Sequence, residues 1–312
     1  MSSPLVSIII PVYNRAHSVS RSIESVLCQS YQPIELIIVD DGSTDELAEA
    51  LTGYGNKITL VTQPNGGPSS ARNNGVAHAK GEIISFLDSD DTWEPTKLER
   101  QIRLFVLGGE KVPCCVCNAR NMVDGSFTKT SFDMAEVQCD MTEGFWLNPA
   151  QLIATRFLLF NQVVAIRREV FDRIGGFKEH MRLLEDHDLA FRLSLEGPWG
   201  FVSEPLVNKY DQDDGLGVQA QRNPRAHVEA WVIALRGFLI ESIHEGSDVH
   251  QFILRSLKDG AIESRAVSMM EHGNAFTRFL GSSLRLSLRV RGAIRRRLPS
   301  WPRVQAVPSL VP

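Results

Sequence analysis

Two aspartates with one residue between them, Asp88-Ser89-Asp90, follow directly on a short apolar run from Glu82 to Leu87. Carboxylates so placed at a strand end are hard oxygen ligands, suited to Mg²⁺ or Mn²⁺ held together with a diphosphate. The pattern alone is common. Asp91 or Thr92 equally suits the cap of a helix with Pro95 in its first turn. Asp90 is therefore read mainly as a metal ligand and Asp91 mainly as a cap.

Other polar clusters follow apolar runs in the same way. Asp40-Asp41-Gly42-Ser43 ends the run Glu35 to Val39. It suits a turn in which Ser43, Thr44 or Asp45 caps the next helix, or a carboxylate that meets a nucleobase edge or ribose. Asn65 to Asn73 is a glycine turn leading into a helix, where free N–H groups attract anions and Arg72 adds charge for a phosphate. It is not a Walker loop, because no Lys-Ser or Lys-Thr follows the glycines. In Glu185-Asp186-His187-Asp188, a projection at 100° per residue puts Asp186 on the apolar face of its helix. Asp188 projects outward with Arg192 four residues on, as a surface ion pair, and His187 projects to the surface. Asp186 is the candidate general base.

The elements that would carry these residues alternate. Val6 to Ile10, Glu35 to Val39, Lys57 to Thr62 and Glu82 to Leu87 read as strands. Helices are expected from His17 to Tyr31, after Asp45, from Ser69 to Ala79 and from near Pro95. Such alternation indicates βαβ units and a Rossmann-like, mostly parallel α/β sheet flanked by helices, with ligands beyond the carboxyl ends of its strands. From Arg120 to Asn148 periodic signals are weak, and an ordered active-site loop is expected. A strand near Asn161 to Arg167 and a helix near Glu185 to Glu196 follow. After Tyr210 the apolar spacing becomes helical. The expected domains are 1–210, catalytic, and 211–312, a helical C-terminal extension.

Together VSIIIPVYNR, SVLCQSY, ELIIVDDGSTD, NGGPSSARNNGVAHAKGEIISFLDSDD and VFDRIGGFKEHMRLLEDHDLAFRL resemble glycosyltransferase family 2, over about residues 5 to 210. The resemblance implies the GT-A fold, a nucleotide-sugar donor and inverting transfer to a hydroxyl. It implies that Pro11, Tyr13, Asp40, Asp41 and Arg72 bind the nucleotide-sugar, that Asp88 reaches ribose or metal, and that Asp90 holds Mn²⁺ or Mg²⁺. Asp186 would be the catalytic base. In this family a histidine often follows the tyrosine after the last strand, whereas Tyr210 is followed here by Asp211-Gln212-Asp213-Asp214. A nucleotidyltransferase that makes the donor is the competing enzyme, but it needs a glycine-rich basic loop after the first strand, and Pro11 to Arg15 is not one. A catalytically silent nucleotide-sugar-binding module is the other competitor.

Bulk properties restrict the setting. With 312 residues, 43% hydrophobic and a net charge of −4, the chain has material for a sizeable core and no global basicity for nucleic acid. No apolar run reaches membrane-spanning length, and no secretory signal is expected. The five cysteines include a lone Cys114-x-x-Cys117. Without further ligands it is read as buried free thiols in a reducing cytoplasm rather than zinc. From His272 onward there are eight arginines and no acid. Apolar residues at helical spacing oppose several of them, the pattern of a helix lying on anionic lipid. A peripheral place on the inner membrane face, and a glycan or lipid-linked acceptor in polysaccharide or cell-surface glycan synthesis, follow as expectations.

Overall fold

The computed structural model describes residues 3–123, 125–155, 160–181, 183–210 and 306–310. The expected helices after Tyr210, the Asp211 to Asp214 segment and the arginine-rich segment lie outside them. Tertiary contacts divide the chain into two units, one of 1–211 with 305–312 and one of 212–304. Only the first is described below.

The alternation expected from sequence is present in order: β1 (Val6–Val12), α1 (Ala16–Leu27), β2 (Ile34–Asp40), α2 (Leu47–Leu51), β3 (Thr59–Thr62), α3 (Pro68–His78) and β4 (Ile83–Phe86). β1 is parallel to both β2 and β4, and β2 is parallel to β3. β1 shows why a continuous apolar run becomes a central strand, because both of its faces are covered. Ile8, Ile10 and Val12 pack with Val19, Ile23 and Val26 of α1. Each such side chain, once fully buried, contributes roughly 1.5–3 kcal/mol.

On the other face α3 sits so close that Gly75 is obligatory. A Cβ there would lie 2.4 Å from Ile9 Cγ2. We expect Gly75→Ala to cost about 1–3 kcal/mol through overpacking, measured by urea unfolding. A stability equal to the parent's would show that α3 has room to move away.

Beyond β4 come β5 (Thr92–Trp93), α4 (Lys97–Gly108), β6 (Cys114–Val123), β7 (Ser126–Thr130), α5 (Ser131–Met134), β8 (Glu143–Trp146), α6 (Pro149–Thr155), β9 (Val164–Arg167), α7 (Arg168–Arg173), α8 (Glu185–Ser194), β10 (Trp199–Tyr210) and β11 (Ala306–Val307). Among the described residues the sheet runs β11-β8-β10-β6-β9-β4-β1-β2-β3, with β5 on β10 and β7 on β6. Parallel pairing holds from β3 to β4. Antiparallel β9 then joins β4 to β6.

Two sequence expectations change here. The stretch from Arg120 to Asn148 is not one irregular loop, since it holds the β6–β7 hairpin, α5 and β8. β7 is exposed along most of its length, and four-residue β8 is buried by distant partners, so neither leaves a local apolar period. β11 returns from the far end of the chain to pair with β8, so residues 306–310 lie with the first unit.

Candidate active site

The turn after β4 carries Asp88, Ser89, Asp90 and Asp91. Asp88 Oδ1 accepts a bond of 2.7 Å from Arg72 Nη2, and the Asp88 side chain is 30% exposed. Burial, reinforced by the charge of Asp88, raises the pKa of Asp90, while Arg15 and Lys209 pull it down. Asp91 is not the helix cap expected from sequence. α4 begins six residues later, after Thr96, and Thr92 lies in β5. Asp91 is instead buried, accepting from the Tyr210 amide at 2.8 Å and from the Gln162 side chain. Burial, then Asp88 and Asp90, drive its pKa well up.

Arg72 lies in α3, almost fully buried. Its guanidinium holds Asp88 on one side and Glu185 Oε1, at 3.1 Å, on the other, with the Phe177 ring beneath it. Its charge is thus engaged by two carboxylates. Glu185, the first residue of α8, was not among the site residues expected from sequence, although an acid in a first helical turn was a signal for it. Burial and the neighbouring Asp186 push its pKa up to about 7, against the pull of Arg72. Asn161 and Gln162, just before β9, close the same buried group around Arg72 and Asp91.

Asp186 follows Glu185, and Leu184 before it takes a left-handed conformation at φ 63°. Asp186 Oδ1 accepts from the His187 amide at 2.9 Å, and the side chain stays 21% exposed. Asp188 corrects the projection: it is buried, bonded by Arg192 and by Lys178 Nζ at 2.9 Å. Arg192 is buried too, capping the carbonyls of Ile174 and Gly176. The segment before α8 covers the face that the projection left to solvent. His187 is also largely covered, its side chain 14% exposed.

At the neighbouring strand ends, Val12 lies opposite Asp40 in the β1–β2 register. Asp40 accepts from the Ser43 amide, and Asp41 is buried with bonds from the Gln63 side chain and the Gly66 and Gly67 amides. Asp41 therefore shapes the glycine turn, and Gly67 meets its demand with φ 87° before Pro68 opens α3. Asp45 does not cap α2 but accepts from the Ala16 amide at the start of α1. Pro11 is half-buried, and Tyr13 stands 49% exposed beside the Asp40 end. The structure thus gathers Arg72, Asp88 and Glu185, with Asp186 adjoining, and sets Pro11, Tyr13, Asp40 and Asp41 at the next strand ends.

Among the described residues no three His, Cys, Asp or Glu side chains gather as a metal site. Cys114, Cys115 and Cys117 are free, buried core thiols, and burial pushes Cys117 up to about 11. Cys28, by contrast, is exposed.

The family model "Glycosyl transferase family 2" matches residues 7–177, more than half of the chain. The chain belongs to glycosyltransferase family 2. An uncharacterised glycosyltransferase from Rickettsia typhi is 31% identical over 80% of this chain and 78% of its own length. The chondroitin synthase of Pasteurella multocida is 32% identical over 69% of this chain, which spans 22% of that longer protein. Solved structures with the GT-A fold superpose on this glycosyltransferase. S. aureus TarS (residues 1–349), in complex with UDP-GlcNAc, gives a TM-score of 0.67 at 18% identity, covering 91% of this chain and 79% of that one. The mannosyltransferase PcManGT of Pyrobaculum calidifontis, with GDP-Man and Mn²⁺, gives 0.57 at 18% identity, covering 95% and 85%.

Proposed function

We propose that this family 2 glycosyltransferase inverts. On this reading it moves a sugar from a nucleotide-sugar donor to a hydroxyl of a glycan or lipid-linked acceptor. The observation that carries the reading is the Asp88–Arg72–Glu185 clasp. It ties the strand-end aspartates to the helix start that bears Asp186.

Asp186 Oδ2 is the atom assigned to take the proton of the acceptor hydroxyl, since Oδ1 already holds the His187 amide. The acceptor oxygen then attacks the anomeric carbon from the side opposite the nucleoside diphosphate, which leaves with the electron pair of the broken C–O bond, so the carbon is inverted. Tyr13 offers an exposed ring for the nucleobase next to the strand end that Val12 shares with Asp40, and Pro11 stands two residues before it. Arg15 and Lys209, both near enough to act on Asp90, are placed to draw the donor's phosphates.

Asp88 and Asp90 fit a divalent ion. They are hard oxygen donors, too few for a closed protein cage, and their mutual repulsion is what a cation relieves. Mn²⁺ or Mg²⁺ held there supplies charge that stabilises the departing diphosphate.

The donor class draws support from the UDP-GlcNAc and GDP-Man complexes of the two neighbours. A glycan acceptor draws support from relatives named as chondroitin and hyaluronan synthases. The lipid-linked alternative and an inner-membrane position rest on the arginine-rich segment. No helix among the described residues is long and apolar enough to cross a membrane.

UDP or GDP should raise the melting temperature more with Mn²⁺ than with EDTA, and Asp90→Ala should erase the difference. Equal shifts in Mn²⁺ and EDTA would remove the metal from the reading. A difference that survives in Asp90→Ala would move it to other residues.

A further inference from the structure

Helix α1 carries two chemically distinct faces. Val19, Ile23 and Val26 enter the core, while Ser18, Ser22 and Ser25 recur at i, i+4 and i+7 along the adjoining face, with Gln29 just past the helix end. In the structure Ser22 is fully buried, Ser18 and Gln29 nearly so.

Their partners are successive backbone groups of the segment that holds the paired aspartates. Ser18 Oγ donates to the Ser89 carbonyl at 2.9 Å, Arg21 Nη2 to that of Asp90 at 2.6 Å, and Ser22 Oγ to that of Asp91 at 2.8 Å. Further on, Ser25 Oγ accepts from the Trp93 amide at 3.1 Å. Gln29 donates to the Glu94 carbonyl at 2.8 Å and accepts from the Leu98 amide at 3.1 Å. Helix α1 and the residue just past it thus bond backbone groups of Ser89, Asp90, Asp91, Trp93, Glu94 and Leu98.

We infer that Ser18 and Ser22 are positioning residues for the divalent ion, holding the Asp88–Asp91 turn in its ion-ready form before the ion arrives. The inference rests on the proposed function above. Three consecutive carbonyls in a turn have no helix or ladder partner of their own and would otherwise rotate toward water. Fixing them fixes the peptide planes on both sides of Asp90, and so the direction of its Cα–Cβ bond. The restraint has something to oppose, because Asp88 and Asp90 are like charges that repel until a cation sits between them. Arg21 adds to it by stacking its guanidinium 4.0 Å over the Tyr210 ring, whose amide Asp91 holds. Outer contacts that orient ligand side chains in this way typically govern metal affinity by roughly 10–100-fold.

The test titrates Mn²⁺ into the full-length protein at fixed UDP, reading free Mn²⁺ by electron paramagnetic resonance, alongside the melting temperature without metal. Ser18→Ala/Ser22→Ala should raise the Mn²⁺ midpoint by about tenfold or more. Val26→Ala, a core change on the same helix, should lower the melting temperature yet keep the parent's midpoint within about twofold. A double variant with the parent's midpoint overturns the inference. So does a Val26→Ala variant whose midpoint moves as far, since general loosening then explains the effect. Should the double variant not fold, Ser22→Ala alone is titrated in the same way: a raised midpoint supports the inference, and the parent's midpoint overturns it. A parent protein that shows no UDP-dependent Mn²⁺ binding sinks the functional reading itself, and this inference with it.

Discussion

Asp186→Asn should leave donor binding intact and lower kcat by roughly 10²–10⁴. The amide is nearly isosteric and can still accept from the His187 amide through its oxygen, so the helix start keeps its shape. What it loses is the capacity to take a proton from the acceptor hydroxyl. The donor side should not notice, because Tyr13, Asp40 and Asp90 belong to other strand ends. A UDP thermal shift equal to the parent's, together with collapsed transfer, is the expected pair of results. More than a tenth of the parent's activity would move the base to Glu185, the next carboxylate on that helix start.

The second large effect is on stability. Arg72→Met keeps the length and packing of the side chain but removes the one guanidinium that both Asp88 and Glu185 touch. Glu185 would then be a buried carboxylate with Asp186 and Asp88 as its charged neighbours. Breaking a buried ion pair from one side costs about 3–5 kcal/mol, and the partial exposure of Asp88 favours the lower end. Urea unfolding measures it. Glu185→Gln in the Arg72→Met background should return part of the loss, since the amide leaves no unpaired charge. A single-variant loss under about 1 kcal/mol would show that water replaces the guanidinium, and that α8 is held by other contacts.

Much of the first 90 residues was legible because their signals are local. β1, β2 and β4 are apolar runs buried on both faces, and the polar residues at their ends had few places to go except the cleft edge. Asp88 and Asp90 are read that way, and Arg72 from the glycine turn that leads into its helix. What stayed illegible depends on pairings that no window spans. Arg72 meets Glu185 from 113 residues away, and Asp91 meets the Tyr210 amide from 119. A capping aspartate and a buried anchoring one look alike in sequence. Asp188 failed for a different reason, since helical projection assumes one solvent face and α8 has none along that side. The serines of α1 are the mirror case, polar residues buried because a neighbouring turn needed partners.

The return of the chain to the sheet at β11 bears on how the protein can be engineered. Ala306 and Val307 face Trp146 and Phe145 on one side of β8, whose other side is taken by β10. Residues 306–307 therefore close one edge of β8, although they follow β10 by almost a hundred positions in the sequence. Any shortened protein that stops before Ala306 strips β8 of a neighbour and leaves its amides and carbonyls open to another chain, a known route to self-association. Apparent membrane or liposome binding by such a protein would then mix lipid affinity with sticky-edge assembly. Replacing the arginines in place keeps β8 paired.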